Sequence, residues 1–135
     1  PRLVLVNFKE PDAAGHQKDW NGYLKGIGQC DRYVWELWQW LQRDPHYRNN
    51  TDLIITNDHG RHLDAVVDGF VSHGDGCDGC RHISLLALGP DFREGVVSSH
   101  HREQIDIAPL VAKIMDFPMP ALPGSVPTEW LVTPQ

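Results

Sequence analysis

Three short apolar runs, spread along the chain, constrain its fold most. The runs Arg2–Phe8, Asp52–Asn57 and Ile83–Leu88 are rich in leucine, isoleucine and valine, which is typical of strands buried on both faces of a parallel sheet. Between the first two, apolar residues recur at helical spacing from Ile27 to Leu41. Pro45 follows and is expected to end that helix. The pattern predicts an α/β fold.

The order of elements predicts only part of a larger sheet. A last helix is expected near Ile107–Ile114, so the chain runs strand, helix, strand, long loop, strand, helix. We therefore predict that residues 1–135 form a single domain, which carries part of a doubly wound, mostly parallel sheet. Three strands with so few helices would leave apolar sheet uncovered, so further strands are expected outside this sequence.

Composition excludes two classes of partner. The net charge is −6 and no block of lysine or arginine occurs, which argues against binding nucleic acid through a basic patch. No apolar run reaches the length of a membrane span. The chain opens on Pro1 and runs directly into an apolar segment, which looks like a cut end. The missing signal peptide therefore gives no information about location.

Two polar motifs follow the first two apolar runs. Asp12 and His16 are four residues apart, a spacing that places both side chains on one side of a helical turn. Asp58 and His59 are adjacent, and Gly60 after them permits a turn at the strand end. Carboxylate oxygen and imidazole nitrogen together suit zinc or a similar divalent ion. Each pair alone is also compatible with ordinary capping or turn chemistry, but two pairs at one sheet edge indicate a metal site.

These motifs carry a family resemblance that covers nearly the whole chain. The chain resembles the alkaline phosphatase superfamily, and most closely its nucleotide pyrophosphatase/phosphodiesterase and sulfatase-like branches. The strings that carry the resemblance are Glu10-Pro11-Asp12-x-x-Gly15-His16, Asn57-Asp58-His59-Gly60, Ala87-Leu88-Gly89-Pro90-Asp91-Phe92 and Glu103-Gln104-Ile105-Asp106-Ile107-Ala108-Pro109.

The resemblance implies a metal-dependent hydrolase of phosphate esters, a phosphatase or phosphodiesterase, with two divalent metal ions, preferentially zinc. Asp12 and His16 would hold one ion, and Asp58 and His59 would hold the other. The first ion usually takes a further histidine in this family. His73, in the loop after the second motif, is the favoured candidate.

His82 is the second candidate for that further ligand, ahead of His100 and His101. The family also supplies an aspartate and a nucleophile from its N-terminal half, and no serine or threonine here has the matching context. The resemblance thus implies that this chain is the C-terminal portion of a larger enzyme and is inactive by itself. Its partners would be the missing N-terminal half and a small anionic ester substrate, and its location would be extracytoplasmic, for example periplasmic.

Two alternatives stay open at this point. Sulfatase-like relatives cleave sulfate esters with one calcium ion held by oxygen ligands, and the Glu103–Pro109 string is similar to theirs. Histidine nitrogen at the first motif favours zinc and phosphate chemistry instead. The alternative of another class is a non-catalytic domain that binds metal for stability.

Two features of the long loop stand outside the resemblance. Arg81 could contact a substrate anion, because a guanidinium matches phosphate or sulfate, although a solvated surface arginine is equally compatible with the sequence. Cys77 and Cys80 form an isolated pair with CxxC spacing. The pair is compatible with a local disulfide, a redox couple, or a structural metal shared with His73 or His82.

Overall fold

The computed structural model describes residues 1–121 and 123–132. The predicted single domain over residues 1–135 also includes residues 122 and 133–135, which lie outside the described residues, and it stays a prediction. The elements are four α-helices, two strands and three short 3-10 turns among the described residues. The helices are α1 (Asp12–His16), α2 (Trp20–Arg43), α3 (Asp78–Arg81) and α4 (Ile107–Ile114), and the strands are β1 (Leu53–Thr56) and β2 (Leu85–Leu88).

The long helix α2 confirms the helical periodicity and its predicted end. Its first turn is capped by the Asp19 carboxylate, which accepts a hydrogen bond of 2.9 Å from the backbone N–H of Gly22. It ends at Arg43, just before Asp44 and Pro45. Its apolar face packs only in part, because α1 is its main neighbour among the described elements. Leu41 is buried, whereas Trp35 and Trp40 are more than half exposed.

The sheet differs from the prediction in the direction of its strands. β1 and β2 pair antiparallel, with Leu53 opposite Leu88 and Thr56 opposite Leu85. The sequence predicted a mostly parallel sheet, and a doubly wound sheet is not seen among the described residues. The physical reason is that the segment between the strands returns to the same end of β1. The segment of residues 57–84 therefore leaves β1 and enters β2 at the same end of the strand pair.

The first apolar run forms no strand. Residues 1–9 have no regular structure, and the side chains of Val4 and Leu5 are 64% and 94% exposed. A strand needs a neighbour to satisfy its backbone groups. β1 and β2 pair only with each other, and no other described strand lies beside the run. The predicted strand Arg2–Phe8 is therefore wrong for this structure.

The buried interior is small and lies apart from the sheet faces. Its apolar side chains, among the described residues, are Ala14, Leu41, Cys80, Phe92, Leu110, Ala112 and Pro127. Three charged or polar side chains are buried as well, and two of them, Arg61 and His62, directly follow the second motif. Helix α4, which lies where a last helix was predicted, contributes Leu110 and Ala112 to the interior. None of the described helices is long and apolar enough to cross a membrane.

Candidate metal centre

The first motif lies on α1 with the geometry its spacing predicted. The Nε2 atom of His16 lies 3.5 Å from the Oδ2 atom of Asp12, one turn away along the helix. Glu10 supports the start of this helix, since its carboxylate accepts a 3.1 Å hydrogen bond from the backbone N–H of Ala14. Both motif side chains are about half exposed. They can therefore reach a ligand outside the helix.

The second motif forms a turn at the end of β1. The side chain of Asn57 ties this turn to β2: its Oδ1 atom accepts a 2.8 Å hydrogen bond from the backbone N–H of Ser84, and its amide donates to the carbonyl of His59. The Nδ1 atom of His59 lies 2.8 Å from the carbonyl oxygen of Gly60. A histidine held through Nδ1 presents the lone pair of Nε2 outward, as metal-binding histidines do.

His73 joins the two motifs. Its ring stacks on that of His59 with centroids 3.5 Å apart. Its Nε2 atom lies 3.4 Å from Oδ1 of Asp12 and 3.2 Å from Nε2 of His16. Burial lowers the pKa of His73, and the nearby His59 charge adds to that shift. The lower pKa keeps the imidazole neutral, which is the state that binds a metal.

Asp12, His59 and His73 together form what we call the Asp12 cluster. One ligand atom from each lies within 4.8 Å of the others. The donor set of one carboxylate and two imidazoles fits a divalent transition metal. His16 borders the cluster through its contacts with Asp12 and His73. Asp58 contributes no atom to the cluster, and its side chain is 77% exposed.

This arrangement differs from the predicted division of ligands. His59 was predicted to bind one ion with Asp58, and His73 to bind the other with Asp12. The structure brings His59 and His73 together at Asp12, and places a carboxylate oxygen of Asp58 3.6 Å from Nε2 of His59. The assignment of each residue to a particular ion stays a prediction.

Arg61 is a site residue that the sequence reasoning missed. Its buried guanidinium forms an ion pair with the Asp12 carboxylate and donates a 2.8 Å hydrogen bond to the Asp12 carbonyl. It also donates to the carbonyl oxygens of Phe70 and Val71, at 3.0 and 2.9 Å. Arg61 thereby fixes Asp12 against the loop that carries His73. The one sequence feature that could have identified Arg61 as a site residue is its position directly after Asp58-His59-Gly60.

A second group of ligand-type side chains lies farther along the same loop. We call it the cysteine cluster, and it comprises His62, Asp75, Cys77 and Cys80, whose ligand atoms lie within 4.8 Å of one another. Hydrogen bonds from Cys77 lower the pKa of Asp75 to about 2, and the Asp75 carboxylate raises the pKa of the Cys77 thiol. The cysteines are free thiols. Sequence reasoning had paired them with His73 or His82 rather than His62.

Arg81 and His82 lie away from both clusters. They line a groove of about 440 Å³ together with Arg102. The guanidinium of Arg81 is exposed and lies 3.8 Å from a carboxylate oxygen of Glu103. His82 contributes no atom to either cluster. Arg81 as a substrate contact and His82 as a reserve metal ligand both stay predictions.

Comparison with known proteins identifies the family of this chain. The sequence profile of the metalloenzyme superfamily matches residues 2–119. The chain belongs to this superfamily. The superfamily is alkaline-phosphatase-like, so the resemblance drawn from the motifs is confirmed at the level of the superfamily, and membership implies divalent metal ions. The nearer likeness to its phosphodiesterase and sulfatase-like branches stays a prediction. No solved structure matches the chain.

One curated relative is a member of the same superfamily. The chain is 24% identical over 119 residues to a 2,3-bisphosphoglycerate-independent phosphoglycerate mutase of Caenorhabditis elegans. The match covers 88% of this chain and 21% of the mutase. The chain thus spans about a fifth of the length of this relative.

Proposed function

We propose that this chain supplies metal ligands to a metal-dependent phosphoryl-transfer enzyme. The observation that carries the proposal is the convergence of Asp12, His59 and His73, from three separate stretches, within 4.8 Å. Superfamily membership supports the same class of chemistry. Divalent ions held at such a site would polarise the ester oxygens and stabilise the negative charge on the oxygens of the transferred phosphoryl group.

The residues of the chain have distinct roles in this proposal. Asp12 and His73, with His16, would hold one ion, and His59 with Asp58, whose carboxylate oxygen lies 3.6 Å from Nε2 of His59, would hold the other. Arg61 positions Asp12 through four donated contacts. Zinc is the proposed metal, because imidazole nitrogen outnumbers carboxylate oxygen in the cluster.

The proposed reaction is hydrolysis of a small anionic phosphate ester, by a phosphatase or phosphodiesterase. The mutase relative favours a second candidate, in which the phosphoryl group moves between two hydroxyl groups of one substrate. Sulfate ester hydrolysis with calcium is a weaker alternative, because calcium prefers oxygen ligands and two of the three ligands in the Asp12 cluster are histidines.

The nucleophile is proposed to come from a part of the enzyme outside this sequence. The chain spans 21% of its mutase relative, which leaves room for such a part. The isolated chain would then bind metal without turnover. An extracytoplasmic location belongs to the same proposal. The rival interpretation is a non-catalytic domain that binds metal for stability.

The test compares metal content and turnover in matched variants. The full-length gene product that contains this chain is purified, its zinc is counted, and hydrolysis is measured with p-nitrophenyl phosphate, bis(p-nitrophenyl) phosphate and p-nitrophenyl sulfate, alongside interconversion of phosphoglycerates. His59→Ala should lose metal and activity, whereas His46→Ala, at an exposed histidine, should lose neither.

Each result separates the candidates. Activity on one ester class identifies the substrate type, and metal binding without turnover by the full-length gene product supports the non-catalytic domain. If His59→Ala and His46→Ala retain equal metal, the proposed metal centre is wrong.

A further inference from the structure

The cysteine cluster points to a metal site separate from the Asp12 cluster. We infer that His62, Asp75, Cys77 and Cys80 bind a structural zinc ion. The four side chains offer one nitrogen, one oxygen and two sulfur atoms, all within 4.8 Å. Four ligands of this kind match the tetrahedral coordination of structural zinc. No residue is shared with the Asp12 cluster.

The orientation of His62 provides independent support. Its side chain is 5% exposed, and its Nδ1 atom lies 3.2 Å from both the Asp68 carboxylate and the Ser72 hydroxyl. Hydrogen bonding at Nδ1 is the usual support for a histidine that binds metal through Nε2. The Asp68 carboxylate thus fixes the tautomer that leaves the Nε2 lone pair free.

The Nε2 atom of His62 is buried and has no hydrogen-bond partner among the described residues. It lies 3.2 Å from Oδ2 of Asp75, but without the alignment of a hydrogen bond. A lone pair that faces a carboxylate oxygen at this distance is unfavourable unless a proton or a metal ion lies between them. A zinc ion bound by both atoms removes this conflict.

The cysteine pair completes the site. Cys80 is buried, and its backbone N–H donates a 3.4 Å hydrogen bond to the sulfur of Cys77. Such a hydrogen bond stabilises a thiolate on Cys77 once a metal is bound. Soft thiolate ligands select zinc over magnesium or calcium. We therefore assign the pair to metal binding rather than to a disulfide or a redox couple.

The site would also position the Asp12 cluster. His62 and Cys80 bracket the loop segment that carries His73. A zinc ion would fix both ends of this segment and so limit the positions that His73 can adopt against His59. The role is structural, and the inference does not depend on the reaction proposed above.

Cobalt substitution tests the site directly. The purified protein is stripped of metal and loaded with Co²⁺, and the thiolate-to-cobalt charge-transfer absorption is recorded. The band should appear in the wild type, persist in Asp12→Asn and Cys30→Ser, and disappear in Cys77→Ser and His62→Ala. In zinc-loaded protein, Cys77→Ser should lose about one zinc ion per chain relative to Cys30→Ser.

A measurement on the wild type guards against variants that fail to fold. Titration of the native zinc-loaded protein with an organomercurial should release about one zinc ion as two thiols react. A thiolate–cobalt band that is absent from the wild type, or retained in Cys77→Ser, overturns the inference. So does a thiol count, under denaturing and non-reducing conditions, that finds Cys77 and Cys80 oxidised to a disulfide. Loss of turnover in Asp12→Asn with the cobalt band intact would leave this inference standing.

Discussion

Arg61 is the residue whose replacement tests the architecture of the site most directly. Its guanidinium is buried and donates to three backbone carbonyl oxygens, those of Asp12, Phe70 and Val71, besides its ion pair with the Asp12 carboxylate. Replacement by methionine keeps most of the aliphatic stem and removes every donor. We expect Arg61→Met to destabilise the fold strongly.

The magnitude follows from what is left unpaired. A neutral hydrogen bond contributes about 0.5–1.5 kcal/mol net, and one to a charged group about 1.5–3 kcal/mol. Asp12 is about half exposed, so water rehydrates its carboxylate and screens the lost ion pair. We therefore expect a loss of about 2–4 kcal/mol in the free energy of unfolding, below the limit for a fully buried pair.

Urea denaturation in the presence of a chelator measures this loss without a contribution from bound metal. Arg61→Lys keeps the charge but not the forked donors, and should lose about half as much. The control is Arg32→Met, which removes an exposed helical ion pair with Glu36 and should cost less than about 0.5 kcal/mol. If Arg61→Met and Arg32→Met have the same denaturation midpoint, Arg61 does not support the site as argued.

Three further predictions concern other parts of the site and its support. Gly60→Ala would place a methyl group against the carbonyl oxygen of Gly79 in α3, so we expect the free energy of unfolding, measured with urea, to fall by about 1–3 kcal/mol. Gly28→Ala, in open space on α2, should instead raise it by about 0.5–1 kcal/mol. Burial, together with a side-chain hydrogen bond to Asp91, raises the pKa of Asp52 from 3.8 to about 6. The protonated carboxyl group therefore stabilises the fold fully below pH 3.8, and this contribution is lost as the pH rises through 6. Asp52→Asn should reduce the pH dependence of the free energy of unfolding by about 1 kcal/mol, after allowance for solvent screening. His73→Ala should weaken zinc binding at least about tenfold by calorimetry, and His82→Ala should leave it unchanged; equal affinities would remove His73 from the metal centre.

The spacing of residues along the chain was sufficient to predict the elements that are stabilised by contacts between near neighbours in sequence. The spacing of apolar residues located α2, and the four-residue spacing of Asp12 and His16 placed both on one face of α1. In both cases the neighbours that matter lie one turn away along the chain. The same reasoning located β1 and β2 to within two residues at each end.

The features that could not be predicted from the sequence depend on contacts between residues far apart along the chain. The run Arg2–Phe8 has strand composition, but strand formation depends on a neighbour that the run itself does not specify. The antiparallel direction of β1 and β2 depends on where the intervening loop returns. That loop has no regular spacing of apolar residues from which its path could be predicted. Arg61 was missed for a related reason, because its partners at Asp12 and Phe70 are fixed only by the tertiary fold.

Two adjacent residues explain why both clusters lie at one end of β1. Arg61 contacts Asp12, and His62 contacts Asp75, so neighbouring side chains reach different clusters. Their backbone is held by the hydrogen bond of 2.8 Å from the N–H of Gly60 to the carbonyl of Cys80. A side chain at Gly60 would clash with α3, so only glycine permits this approach. The geometry of the Asp12 cluster therefore depends on the loop after β1 as much as on the strand end itself, and a metal bound by the cysteines would act on the same short segment that holds Asp12 in place.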